Sequence, residues 1–394
     1  MPTTKQKPSV RLMDTTLRDG EQTPDVCFSG EEKLAIARLL LEQVKVDRIE
    51  IGSALVSPAE QRAAQRIADW ARAEDRLSQI EVLGFANGER SVGWVKGAGV
   101  ERMNLLVKGS ERHCRLQLGL SPEEHAQEVR RTLQAAERAQ VEVSGAYLED
   151  WSRGMQESPA YVGAIVEALS ALGVRRIYLA DTLGVLGPEL VLRYVRRMRR
   201  DFPRLSFEFH AHNDYGLATA NCLAAVRAGA EGLHTTVNGL GERAGNACLA
   251  QVAVALRDHA GRATLIDETR LPELSELVAV ASGYPVGHNE PIVGSNVFTQ
   301  TAGIHADGDS KAGLYQSSLA PERFERRRQY ALGKLSGRAS LALHLAELGV
   351  SLPPDQHAEL RQYVVALGER KQRVRRSDLQ RWLDPAVLRL PVPQ

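Results

Sequence analysis

The chain has 394 residues, enough to bury a large core beside a smaller appendage. Its 50 Lys and Arg against 49 Asp and Glu leave a formal net charge of +1, which excludes a global attraction to nucleic acid or an anionic membrane. Cys27, Cys114, Cys222 and Cys248 form no CxxC pair, which argues against a zinc knuckle or a redox dithiol. Residues 1–7 are polar and no segment approaches a membrane span in length, so the expectation is a soluble, cytoplasmic protein.

Short β-rich runs alternate with amphipathic ones from residue 10 onward. Strands are predicted at Val10–Met13, Arg48–Gly52, Ile80–Phe85 and Arg102–Val107, then at Val141–Tyr147, Arg175–Leu179, Ser206–His212 and Gly232–Val237. Helical patterns lie between them: Glu31–Val44, Pro58–Ala73, a weaker Glu89–Gly99, Pro122–Ala139, Pro159–Leu172, Pro188–Phe202, Leu217–Ala228 and Asn246–His259. Several open on Pro or a capping residue and end near Gly. Eight such units with mostly apolar strands predict a parallel sheet closed into a (β/α)₈ TIM barrel. The barrel is expected over 1–261, a linker with short helices and a catalytic loop over 262–321, and a small helical subdomain over 322–394.

The order of elements decides where chemistry can gather. Asp19 follows the first strand, Glu149 ends the fifth, Thr182 follows the sixth, His210 and His212 end the seventh, and Asn246 follows the eighth. In a closed barrel these positions meet at the C-terminal mouth, where such folds place their active sites. His210 and His212 are i and i+2 on a strand and face one way. Taken alone, the pair could equally be exposed or structural histidines. With Asp19 at the same mouth they make a two-imidazole, one-carboxylate set that suits Mn²⁺, Mg²⁺, Co²⁺ or Zn²⁺. Arg18, beside Asp19, is placed to hold an anionic substrate, or else to pair on the surface with Asp19 or Glu21. The run from Asn238 to Asn246 is a Gly-rich loop after the last strand, but it matches neither a P-loop nor a dinucleotide fingerprint. His305, in Ala302-Gly303-Ile304-His305-Ala306-Asp307-Gly308, is either a structural histidine or an acid–base group positioned by Tyr315.

Thr16-Leu17-Arg18-Asp19-Gly20-Glu21-Gln22, His210-Ala211-His212-Asn213-Asp214, the Asn238–Asn246 loop and Gly303-Ile304-His305-Ala306-Asp307-Gly308 together resemble the 2-isopropylmalate, homocitrate and citramalate synthases. These are metal-dependent TIM-barrel acyltransferases, related to 3-hydroxy-3-methylglutaryl-CoA lyase and including enzymes of branched-chain amino-acid biosynthesis. The resemblance spans residues 10 to about 340. It implies Claisen condensation of acetyl-CoA with a 2-oxo acid, followed by thioester hydrolysis. By position it implies Asp19, His210 and His212 as metal ligands with Asn246 at or near the shell, and Arg18 as the group stabilising the developing alkoxide. It further implies Thr182 as a donor to the oxo-acid carboxylate, and Glu149 and His305, the latter supported by Tyr315 and Asp307, as acid–base candidates.

Leu83, Leu106 and Tyr147 resemble the residues that shape the side-chain pocket of the citramalate synthases, small and apolar enough for the methyl of pyruvate. Their other reading is ordinary barrel packing. A short-form 2-isopropylmalate synthase, a carbon–carbon lyase and a non-catalytic homologue are the competing readings. The lyases carry a Cys in a Gly-rich loop, and no such Gly-Cys loop follows His305. About fifty residues follow Gly333-Lys334-Leu335-Ser336-Gly337-Arg338, so no C-terminal amino-acid-sensing domain is expected. Where some relatives carry Asn before the Leu-Tyr pair, this chain has Gly313. The family commonly forms homodimers in which the helical subdomain reaches over the partner's barrel, and the same is expected here.

Overall fold

The computed structural model describes residues 9–384. Eight parallel strands close into a barrel: β1 (Arg11–Asp14), β2 (Arg48–Ser53), β3 (Ile80–Phe85), β4 (Arg102–Lys108), β5 (Glu142–Glu149), β6 (Arg176–Asp181), β7 (Ser206–Ala211) and β8 (Gly232–Thr235). β1 pairs with both β2 and β8, which completes the ring and leaves no free edge. The strands are covered by helices outside and filled by side chains inside, so Leu12, Ile49, Ile51, Val82 and Leu105 are all buried. Each such side chain contributes roughly 1.5–3 kcal/mol of transfer free energy.

Helix entry follows the sequence signals. Ser29 and Ser121 form capping boxes with Glu32 and Glu124, and Pro58, Pro122, Pro159 and Pro188 open their helices. Two short helices in the βα loops, Glu111–Gln117 and Trp151–Glu157, escape a periodicity search because two turns are too few to show one. The last barrel helix begins at Leu249, not at Asn246 as expected. Asn246 is instead held in the preceding loop: its N–H donates to the Gly239 carbonyl at 3.0 Å, and its backbone bridges to His212. Gly245 permits this turn, with φ +80° and a Cβ position only 1.9 Å from the Gly239 oxygen.

The chain divides into two compact units between Val286 and Gly287. Residues 262–286, assigned by sequence to the linker, therefore go with the barrel. The reason is that the helix Leu271–Ser282 is tied to the loop after β8: Asn238 donates to the Ser275 carbonyl at 2.9 Å, and the Ser275 hydroxyl donates back to Asn238 at 2.6 Å. The second unit holds the helices Gly303–Ala312, Arg338–Glu347, Pro354–Glu369 and Arg376–Leu383, with a two-residue parallel pairing of Thr299–Gln300 to Gln329–Tyr330. Its core is Leu341, Leu345, Leu360, Val364 and Leu379. Among the described residues, no helix is long and apolar enough to cross a membrane.

Candidate functional site

The turn after β1 presents Asp19, whose N–H donates to the Thr15 carbonyl at 2.8 Å. Its Oδ2 lies 3.0 Å from His210 Nε2, and the Nε2 atoms of His210 and His212 are 3.3 Å apart. All three residues are buried, and their ligand-type atoms lie within 4.8 Å of one another. Three tests of fit to a cation are met. The donor set is two imidazoles and a carboxylate. Asp19 Oδ2 is buried, and its 3.0 Å approach to His210 Nε2 lacks the geometry of a hydrogen bond. Burial pushes His212 down to about 4, which keeps it neutral and able to coordinate. Burial alone would raise the Asp19 carboxyl, but Arg18 and the two imidazoles hold it well below the usual range. Asn246 comes to the same place through its bridge to His212, and its buried Oδ1 has no hydrogen-bond partner.

Arg18 is not a surface residue. Its Nε donates to Glu50 at 2.6 Å, its Nη1 lies 3.5 Å from Asp19, and its Nη2 is 3.5 Å from the Tyr147 hydroxyl. Glu50, on β2, was not among the residues expected here. The signal was a carboxylate between Ile49 and Ile51 in a strand buried on both faces, where a charge needs a specific partner. Glu50 also accepts from Tyr147 at 3.2 Å and from Asn104 at 2.8 Å. Below it, Arg48, Glu81, Glu208 and His234 extend a buried polar network through the barrel, with Arg48–Glu208 at 2.6 Å.

Leu83 and Tyr147 pack in one cluster with Met13 and Tyr178, and Leu106 packs against it. The three pocket residues read from sequence are thus neighbours. Tyr147 serves two roles, since its ring joins that cluster and lies 5.8 Å from the His210 ring while its hydroxyl reaches Glu50. The Thr182 hydroxyl accepts the Asp150 N–H at 2.8 Å and so keeps its own proton to donate. Glu149 is paired with Lys108, and its other oxygen is 3.8 Å from His113.

His305, Asp307 and Tyr315 belong to the second unit. The His305 and Tyr315 rings face each other at 4.1 Å between centroids. Asp307 pairs with Lys311 one turn on, at 2.6 Å. Gly313 has φ +61°, a conformation that Gly and Asn both adopt readily, so Gly here does not alter the backbone that an Asn would take.

The HMGL-like family model matches residues 9–278, and a model described as homocitrate synthase post-HMGL domain-like matches residues 292–372. A protein provisionally named (R)-citramalate synthase CimA, from Methanopyrus kandleri, is 38% identical over 94% of this chain and 71% of its own. The 2-isopropylmalate synthase of Methanocaldococcus jannaschii is 33% identical over 97% and 72%, and the homocitrate synthase AksA of M. kandleri 35% over 94% and 91%. The HMG-CoA lyase structure from Bacillus subtilis superposes with a TM-score of 0.61 over 71% of this chain and 97% of that one, at 23% identity, a likeness of fold. The protein is an acyl-transferring TIM-barrel enzyme of a metal-dependent class that uses acetyl-CoA. It belongs to the HMGL-like family, among the citramalate, 2-isopropylmalate and homocitrate synthases.

Proposed function

We propose that this chain condenses acetyl-CoA with pyruvate and hydrolyses the resulting thioester, giving citramalate and CoA. The observation that carries the reading is the placement of Arg18, Asp19, His210 and His212 around one point, beside the Leu83–Tyr147 cluster. Asp19, His210 and His212, with Asn246 beside them, are the residues that would hold a divalent cation. Such a cation, when bound, is a Lewis acid that polarises a ketone.

The protein's own groups account for the rest. Arg18, buried and oriented by Glu50, offers N–H donors to the oxyanion that develops as the acetyl carbon attacks the ketone carbon. Thr182 donates to the oxo-acid carboxylate. Leu83, Leu106 and Tyr147 limit the oxo-acid side chain to a methyl. Glu149 and His305 are the two candidates for taking a proton from the acetyl methyl and for activating the water that releases CoA. Lys108 pairs with Glu149 and sets its direction, and the Tyr315 ring lies tilted against His305. A cytoplasmic homodimer, in which His305, Asp307 and Tyr315 of one copy serve the other, is part of the same proposal. Dilution should then cost activity.

The test is release of CoA thiol from acetyl-CoA with Mn²⁺ and a panel of 2-oxo acids. Thiol release greatest with pyruvate supports the reading. A preference for 2-oxoisovalerate keeps the chemistry and overturns the pocket assignment.

A further inference from the structure

Lys33 is a buried amine that the chemistry above leaves unused. It lies in the first turn of the helix Gly30–Arg38 and is 1% exposed. Its ammonium carries three N–H donors and has three acceptors: Glu60 at 2.5 Å, Glu21 at 2.6 Å and the Leu17 carbonyl at 3.3 Å. Glu60 comes from the helix Pro58–Ala73, where its own N–H is capped by Ser57. Gly52 on β2 leaves the space that Glu60 fills, since a Cβ there would stand 2.3 Å from its carboxylate oxygen. Leu17 and Glu21 lie on either side of Arg18 and Asp19. The second Glu21 oxygen accepts the Phe28 N–H at 2.8 Å, which closes the loop back toward the helix.

A buried ion cluster is a poor device for stability alone, because well-packed apolar side chains often do as well. Its geometric effect is specific. The cluster ties two outer helices to the residues that bracket the Arg18–Asp19 pair. We propose that Lys33 is a positioning residue for that turn, holding Asp19 in register with His210 and His212 and Arg18 in register with Glu50. The inference rests on reading Asp19 as a metal ligand.

The experiment measures Mn²⁺ affinity by the loss of the free-ion electron paramagnetic resonance signal, with circular dichroism melts beside it. Lys33→Met with Glu60→Gln removes the ammonium and neutralises the scaffold carboxylate. It should fold and bind Mn²⁺ about tenfold or more weakly, as loss of outer-shell support does elsewhere. Lys33→Arg should recover part of that affinity. A folded double variant with Mn²⁺ affinity within about twofold of wild type overturns the inference. If the double variant does not fold, Glu21→Ala removes the carboxylate tie to the turn while leaving Lys33 paired with Glu60 and bonded to the Leu17 carbonyl. Several-fold weaker binding then supports the inference and unchanged binding overturns it. Wild-type protein that binds no Mn²⁺ overturns the ligand reading itself and this inference with it, an outcome distinct from the others.

Discussion

Glu50 accepts the Arg18 Nε hydrogen at 2.6 Å, and both side chains are almost fully withdrawn from water. The guanidinium therefore owes its direction to a residue thirty-two positions away on a neighbouring strand. Glu50→Gln keeps an acceptor and loses the charge. It should lower kcat by about one to two orders of magnitude, equivalent to about 1.5–3 kcal/mol of transition-state stabilisation. Glu50→Ala should also cost stability, about 3 kcal/mol or more, because it leaves Arg18 buried beside a void. Steady-state kinetics and urea unfolding of the two variants separate these effects. Wild-type kcat in Glu50→Gln would detach Arg18 from the reaction.

His210→Ala removes one of three ligand-type side chains from a position where its ring packs on Tyr147 and His212. Mn²⁺ binding and metal-dependent CoA release should both be lost, with the far-ultraviolet dichroism spectrum largely kept. Full turnover in a correctly folded variant would sink the ligand assignment.

Short apolar strands alternating with longer capped helices made the barrel legible, because the order of these units is written in the sequence even where a single element is short. The grouping of Asp19, His210 and His212 was legible for a related reason: the two histidines share a strand, and barrel order carries Asp19 to the same mouth. Glu50 and Lys33 were not. Their roles depend on which side chains the barrel interior and the outer helices bring opposite them, and no local spacing records that. Asn246 lies beside His212 but does not start the helix, since three positive-φ glycines, Gly239, Gly241 and Gly245, fold its loop back on itself. Residues 262–286 read as linker because a side-chain tie such as Asn238 to Ser275 leaves no trace in composition.

Leu83→Ala should widen the cluster that Leu83 forms with Met13 and Tyr147. The ratio of kcat/KM for 2-oxobutyrate or 2-oxoisovalerate over pyruvate should rise about tenfold, the scale on which one or two methyl groups are told apart in an apolar pocket. Competition assays with paired oxo acids read that ratio directly. An unchanged substrate ranking would remove Leu83 from the pocket and return it to barrel packing.

His125 ties the acid stability of the barrel to the strand that carries Lys108. Its Nε2 accepts the Lys108 N–H at 3.1 Å, which only a neutral ring can do, and the side chain is buried. Burial, with the Lys108 charge, pushes it from 6.5 down to about 4. The folded value is the lower one, so between those limits the unfolded chain takes up a proton that the native chain refuses. Stability from this group is complete above pH 6.5, falls as the pH drops toward 4, and changes little below that. From pH 7 to pH 5 the loss should be about 2 kcal/mol. His125→Gln keeps an acceptor that does not titrate, and its unfolding free energy should fall by about 2 kcal/mol less than that of wild type over the same interval. Urea titrations at the two pH values measure the difference. Parallel losses in the two proteins would show that the acid sensitivity lies in other buried groups. A smaller loss in the variant would instead make His125 a source of that acid sensitivity, through the buried neutral ring that accepts the Lys108 N–H.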